Sequence, residues 1–223
     1  MPRRPVTHSV QLYYSFRSPY SYLALPKTLQ LVADYDLDVE VRPVYPLAVR
    51  DPTFFTRTNP KFARYVVMDS TRVAQAEGIP FRFPRPDPIV QNMETLEVAP
   101  EQPRIRRVTR LAAAAQMRGQ SLAFTWAVAQ VLWDGRVNQW HEGDHIARAI
   151  TDAGLDAAAL DRDITDNTAA CDARITENEA AHAASGHWGV PTFVFEGEPF
   201  FGQDRIDLLL WRLKQKGLAA RAS

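Results

Sequence analysis

The stretch Tyr13-Tyr14-Ser15-Phe16-Arg17-Ser18-Pro19-Tyr20-Ser21-Tyr22-Leu23-Ala24 decides how this chain is read. Ahead of its turn, Val10-Gln11-Leu12-Tyr13-Tyr14 has the composition of a β-strand. Behind it, Leu23, Leu25, Leu29, Leu31 and Val32 recur with a helical period. Ser18-Pro19 between them is a helix-start signal, with a hydroxyl at the cap and proline at the first helical position. A strand that delivers a hydroxyl to a helix N-terminus builds an anion-favouring site, because unpaired N–H groups and the helix dipole converge there. Ser18 is either a plain cap or a functional donor, and local sequence leaves both open.

Working outward, residues 9–16 read as the first strand and 19–34 as the first helix. Asp38-Val39-Glu40-Val41-Arg42-Pro43-Val44 alternates as a second strand, with Pro43 ending its ladder or marking an edge. This β-α-β unit predicts parallel strands joined by a right-handed crossover. A Pro-, Thr- and Arg-containing loop covers 45–60. A helix from Asn59-Pro60 to about residue 77 follows, stopped by Gly78-Ile79-Pro80, and the proline-rich 81–88 is extended. Further helices are expected over 103–118, from Ser121 to before Gly135, from Asp144 to 153, after Asp156, and over 163–185. Strand character returns in Gly189-Val190-Pro191-Thr192-Phe193-Val194-Phe195. A tight turn at Glu196-Gly197-Glu198 leads to Pro199-Phe200-Phe201, making a hairpin. Gly202-Gln203-Asp204-Arg205 then turns into a last helix over 206–216. With β-α-β in front, β-β-α behind and helices between, the order of elements is that of an α/β thioredoxin-like fold, a four-stranded mixed sheet carrying a large all-helical insertion. The expected division is a discontinuous thioredoxin-like domain, 9–58 and 186–218, and an inserted helical domain, 59–185.

Composition narrows the function. The chain has 223 residues, 46% hydrophobic and 23% charged, with 26 Lys+Arg against 26 Asp+Glu. A balanced charge gives no nucleic-acid footprint. No run approaches the ~18 apolar residues of a membrane span. Met1-Pro2-Arg3-Arg4-Pro5 is not followed by an apolar stretch of signal length, so a cytoplasmic location is expected. The single cysteine, Cys171, excludes an internal disulfide and any Cys-x-x-Cys pair.

Four motifs, in order along nearly the whole chain, carry a family resemblance: Phe16-Arg17-Ser18-Pro19-Tyr20-Ser21-Tyr22-Leu23-Ala24, Gly78-Ile79-Pro80-Phe81-Arg82-Phe83-Pro84, Gly189-Val190-Pro191-Thr192 and Phe201-Gly202-Gln203-Asp204-Arg205. The chain resembles the 2-hydroxychromene-2-carboxylate isomerases and kappa-class glutathione transferases, a glutathione-using branch of the DsbA-like thioredoxin families. The resemblance implies glutathione as cofactor and a small aromatic or electrophilic substrate. Ser18 would stand at the first redox-cysteine position and donate to the glutathione sulfur, favouring the reactive thiolate. Val190, before a cis Pro191, would pair with the cysteinyl backbone. Gln203 and Asp204 would hold the γ-glutamyl end, and Asn59 or Lys61 the glycyl end. Tyr20, Tyr22, Phe54, Phe55 and Trp188 are candidates for an aromatic pocket lining. A homodimer is implied on the same basis. Ser15-Phe16 stands where family members often carry Asp-Phe. The readings that compete with an isomerase are a kappa-like transferase, a thiol–disulfide oxidoreductase and a non-catalytic binding protein.

Two other patterns carry less. His141-Glu142-Gly143-Asp144-His145 matches H-E-x-x-H, but Gly143 weakens the required helix and Asp144 reads as the cap of the next one, so no metal site is expected. Arg104, Arg106, Arg107 and Arg110 form a basic helical edge expected to be solvated or salt-bridged.

Overall fold

The computed structural model describes residues 8–59, 61–92 and 94–221. A four-stranded sheet has the order β2-β1-β3-β4, built from β1 (His8–Tyr14), β2 (Leu37–Pro43), β3 (Thr192–Phe195) and β4 (Glu198–Phe201). β1 is parallel to β2 and antiparallel to β3, and β3 and β4 form the hairpin. The mixed sheet expected from the element order is therefore present. β2 is an edge strand and Pro43 is its last residue, where a missing N–H costs no ladder bond.

The helices are α1 (Pro19–Asp34), α2 (Leu47–Arg50), α3 (Phe54–Arg57), α4 (Lys61–Glu77), α5 (Pro103–Met117), α6 (Ser121–Trp133), α7 (His145–Asp152), α8 (Ala157–Asp166), α9 (Thr168–Ala184) and α10 (Ile206–Gln215). Three differ from expectation. The loop after β2 contains the short helices α2 and α3. The helix expected over 163–185 is divided between α8 and α9 by Asn167. Asp144 does not cap α7 with its side chain but pairs with Arg148 one turn along, at 2.9 Å. Asp156 does cap α8, accepting from the Ala159 N–H at 2.9 Å. Pro60, in the expected start of α4, lies outside the described residues.

The sheet is covered on both faces. Val10, Leu12 and Tyr14 of β1 enter the main core with Phe193, Phe200, Leu209 and Leu213. Tyr13 and Val194 pack with Val44 against Ala181 of α9. The inserted helices cover the β2 edge. Ser121 Oγ accepts from the Val41 N–H at 2.9 Å, and the Asn178 amide donates to the Pro43 carbonyl at 3.0 Å. These bonds occupy groups that would otherwise template pairing with another strand. Trp133 of α6 is buried, stacks near Tyr22 and Phe81, and donates from its indole to the Phe16 carbonyl at 3.0 Å. The helical block thus grips the chain two residues before Ser18.

Candidate functional site

β1 ends at Tyr14, and the chain turns so that the Ser18 N–H meets the Ser15 carbonyl at 3.0 Å. Ser18 is the N-cap of α1 in an extended conformation, with Pro19 at the first helical position. Its Oγ accepts from the Ser21 N–H at 3.2 Å and donates to the Val190 carbonyl at 3.3 Å. The cap and the partner expected from residues 172 positions apart are therefore in contact. Ser21, three residues on, is fully buried, and its hydroxyl has no partner among the described residues.

The Val190–Pro191 bond is cis. The segment before it is held from several sides. Arg50 donates to the Tyr45 and Trp188 carbonyls at 2.9 and 3.1 Å, Gly189 N–H donates to His187 Nδ1 at 2.9 Å, and Thr192 Oγ1 donates to the Gly189 carbonyl at 2.7 Å. Gly189 is required here by space, since a Cβ would lie 2.5 Å from the Phe201 ring. The Val190 N–H has no hydrogen-bond partner among the described residues.

The Gly202 N–H donates to the Pro191 carbonyl at 2.9 Å, which ties the turn after β4 to this loop. Gly202 has φ +109°, and a Cβ on it would collide with the Asp204 carboxylate. The 3-10 turn Gln203–Arg205 packs on α1. Gln203 is half-buried; Asp204 is exposed and pairs with Arg205 at 2.9 Å. Tyr20, on the first turn of α1, donates to Asp69 of α4 at 2.7 Å, and Tyr65 meets the same carboxylate at 3.3 Å. Burial, and then the Asp69 hydrogen bond and charge, hold the Tyr20 phenol well above its ordinary range, with Asp204 acting in the same direction. Tyr20 is consequently a neutral donor already engaged.

Aromatic rings form a rim between the two halves of the site. Arg17 lies over Phe55 at 5.8 Å; Phe54 packs on Phe55, Phe62 and Trp188; His187 stacks between Trp188 and Phe201. The rim starts next to Ser18 and ends two residues before Val190. Trp188 is 54% exposed and Phe62 41%. Asn59 lies on the segment between Phe55 and Phe62, where its side-chain oxygen accepts from the Lys61 N–H at 3.0 Å as a cap of α4. Tyr22 departs from the expected lining. It is buried in the core and donates to the Pro80 carbonyl at 2.7 Å.

Residues without an assigned role in the sequence reading also surround the site. Arg17 makes a two-pronged pair with Asp87 at 2.9 and 3.1 Å and donates to Gln91 at 2.8 Å, so the residue before Ser18 is fixed to the proline-rich segment. No local pattern marks a pairing over 70 positions. His182 of α9 is fully buried, stacked on Tyr13 at 4.6 Å, and neither ring nitrogen has a hydrogen-bond partner among the described residues. Burial first, then the charge of Arg50 and last that of His187, push its pKa down to about 4, while the Gly189 backbone opposes them. The imidazole is therefore neutral near pH 7.

The H-E-x-x-H pattern and the lone cysteine resolve simply. α7 begins at His145 and Gly143 has φ +58°, so the continuous helix that H-E-x-x-H chemistry needs is not formed. Cys171 is buried in α9, and burial pushes its thiol pKa up.

Residues 9–214 match the family model of the DSBA-like thioredoxin domain. Among solved structures, the chain is similar to 2-hydroxychromene-2-carboxylate isomerase, with 24% identity over 93% of this chain and 95% of that one and a TM-score of 0.69. It is also similar to the cytosolic disulfide reductase DsbM of Pseudomonas aeruginosa determined with GSH, with 17% identity, coverage of 92% and 99%, and a TM-score of 0.57. A third is the thiol-disulfide exchange protein alpha-DsbA2 of Wolbachia pipientis, with 10% identity, coverage of 96% and 84%, and a TM-score of 0.58. At these identities the likeness is one of fold. No curated protein sequence matches the chain. Among the described residues, no helix is long and apolar enough to cross a membrane.

Proposed function

The chain belongs to the DsbA-like thioredoxin domain family, and from that premise we propose that it is a glutathione-dependent enzyme of the 2-hydroxychromene-2-carboxylate isomerase type, acting on an aromatic-catabolism intermediate. One observation carries the reading. The residue at the head of α1 that faces Val190 is a serine, in a chain whose single cysteine is buried elsewhere. A dithiol oxidoreductase needs two cysteines at the head of that helix; Ser18 and Ser21 stand there. The sulfur must therefore come from a bound thiol.

The residues present fit glutathione. The tripeptide needs a donor for its sulfur, a backbone partner for an extended cysteinyl unit, and an acid for its ammonium. Ser18 supplies the first, the free Val190 N–H the second and Asp204 the third. Bound glutathione would supply a thiolate nucleophile able to add reversibly to a conjugated carbon, freeing a double bond to rotate. Ser18 would donate its proton to the sulfur in place of the Val190 carbonyl, and the α1 N-terminus would favour the negative charge. Gln203 and the backbone of the adjoining turn would receive the γ-glutamyl carboxylate. Asn59 would face the glycyl end. Phe54, Phe55 and Trp188 would stack on a planar substrate and exclude water. A homodimer and a cytoplasmic location belong to the same reading. A kappa-like transferase would use the same donors, and product analysis separates the two: isomerisation regenerates free glutathione, whereas transfer consumes it.

Calorimetry with glutathione tests the premise. Binding is expected for the wild type and weakened in Asp204→Asn. No heat at millimolar glutathione would remove the enzyme reading and leave a binding protein with a thioredoxin scaffold.

A further inference from the structure

The aromatic rim has a cation at its Trp188 end. Arg50, the last residue of α2, is half-buried there. Its Nη2 donates to the Trp188 carbonyl at 3.1 Å and its Nε to the Tyr45 carbonyl at 2.9 Å. A guanidinium carries five N–H donors, so most of this one is unspent. Nη1 makes no hydrogen bond among the described residues and is not sealed from solvent.

Both partners of Arg50 are neutral carbonyls, and among the described residues no carboxylate pairs with it. Glu179 of α9 acts on it by charge, but its carboxylate accepts from the Tyr45 N–H at 2.9 Å. The adjacent Asp51 pairs with Arg57, and Arg17, farther round the rim, is held by Asp87. Burial pushes the Arg50 pKa down and the Glu179 charge offsets only part of this. The platform beside it is open: Trp188 packs on Phe54 with ring centroids 5.6 Å apart and still keeps half of its surface exposed. An accessible N–H on an uncompensated guanidinium favours a carboxylate, and exposed rings favour a planar body. Trp188 and Val190 are two residues apart, at most about 7 Å along an extended chain. The Val190 carbonyl in turn meets the Ser18 hydroxyl, so one small planar acid can touch Arg50 and still reach the Ser18 site.

We propose that Arg50 is a specificity-determining residue of the Ser18 site, receiving the carboxylate of a planar aromatic acid whose ring lies on Trp188 and Phe54. The inference rests on the reading of the rim as the substrate pocket. A carboxylate of glutathione is the other source of the same chemistry, and the test separates the two.

The probes are trans-cinnamate and its uncharged amide, cinnamamide, titrated calorimetrically into the full chain, with glutathione titrated separately. Saturable binding of one cinnamate per chain is expected, roughly tenfold tighter than cinnamamide. Arg50→Gln should weaken cinnamate roughly tenfold, the lower end for a charge-assisted hydrogen bond because the guanidinium is partly exposed, and leave cinnamamide unchanged. Loss of a merely structural bond to the Trp188 carbonyl would weaken both probes alike. Arg50→Lys, which keeps the charge, should restore part of the preference for cinnamate. Thermal unfolding checks that each variant is folded. Absence of cinnamate binding, or equal binding of the two probes by the wild type, would overturn the proposal without any variant. An equal loss of both probes in Arg50→Gln would overturn it too. A loss of glutathione affinity in Arg50→Gln with cinnamate unchanged would assign the guanidinium to glutathione and also overturn it. Arg50-dependent cinnamate binding in a protein that gives no heat with glutathione would uphold the proposal and remove the glutathione reading, so the two fail separately.

Discussion

Replacing Ser18 tests the central reasoning, because its hydroxyl makes two bonds that different substitutions can separate. In the structure Oγ accepts from the Ser21 N–H at 3.2 Å and donates to the Val190 carbonyl at 3.3 Å. Ser18→Ala removes both. Loss of the cap should cost about 1 kcal/mol, with a range of roughly 0.5–2. For a chain of this length, each 1 kcal/mol lowers Tm by roughly 2–4 °C. The effect on a bound thiol is separate. A hydrogen bond to a charged group contributes about 1.5–3 kcal/mol, so its loss should raise the pKa of bound glutathione by roughly 1–2 units. Ser18→Asp gives the opposite combination. An ionised carboxylate still accepts from Ser21, so the cap is kept, but it cannot donate to the Val190 carbonyl and its charge opposes both that oxygen and a thiolate. Both variants should therefore show a raised thiol pKa, and only Ser18→Ala should lose the cap. The assay is the ultraviolet absorbance of the thiolate followed through a pH titration of the complex, with thermal unfolding alongside. If Ser18→Ala loses the stability but leaves the thiol pKa unchanged, Ser18 is only a helix cap and the donor role is wrong.

Three further outcomes are expected. His182 titrates at about 4 in the folded protein against an ordinary 6.5, so the unfolded chain takes up the extra proton between those values. Stability is then complete above about pH 6.5 and falls by up to ~3 kcal/mol as pH drops towards 4. Denaturant unfolding across this window should show a shallower fall in His182→Phe, which keeps the stack on Tyr13; an equal fall in both proteins would disprove the assignment. Arg17→Gln should cost about 1–2 kcal/mol, since the pair it breaks with Asp87 is only partly buried, and should raise the glutathione Kd by loosening the Ser18 turn. A stability loss with an unchanged Kd would limit Arg17 to a structural role. Trp133→Phe should lose about 1–3 kcal/mol by leaving the buried Phe16 carbonyl unpaired, read from the urea midpoint; a midpoint within error of wild type would show that water replaces the indole.

Much of the fold is legible because it is written in local chemistry. Ser18-Pro19 starts α1 where a hydroxyl cap and a proline at the first helical position must start it, and α1 runs over the 19–34 expected. Gly154 follows the end of α7 and Asp156 caps the start of α8 in the same way. The 45–60 segment reads as a loop because its helices, four residues each, are too short to show a period. The break at Asn167 is not visible in the sequence pattern because residues on either side of it favour helix; in the structure α8 and α9 each pack on α5. For the site, the family resemblance points to Ser18, Val190, Pro191, Gln203, Asp204 and Asn59, and the head of α1, the Val190–Pro191 loop and the turn after β4 lie together in the structure. The roles of Arg17, Arg50 and His182 were not legible, since each depends on a partner far along the chain.

By itself, the sequence determined the elements, the sheet they form and the absence of a cysteine pair, because turn chemistry, periodicity and composition act over a few residues. Only the tertiary structure decided that the Ser18 hydroxyl meets the Val190 carbonyl, that His182 is buried without a hydrogen-bond partner among the described residues, and that Tyr22 belongs to the core and not to the rim. Among the described residues, it alone paired Arg107 and Arg110 with carboxylates and left Arg104, on the same helix, without one. Pairing and desolvation depend on which distant groups are brought within a few ångströms, and that proximity is a property of the folded chain.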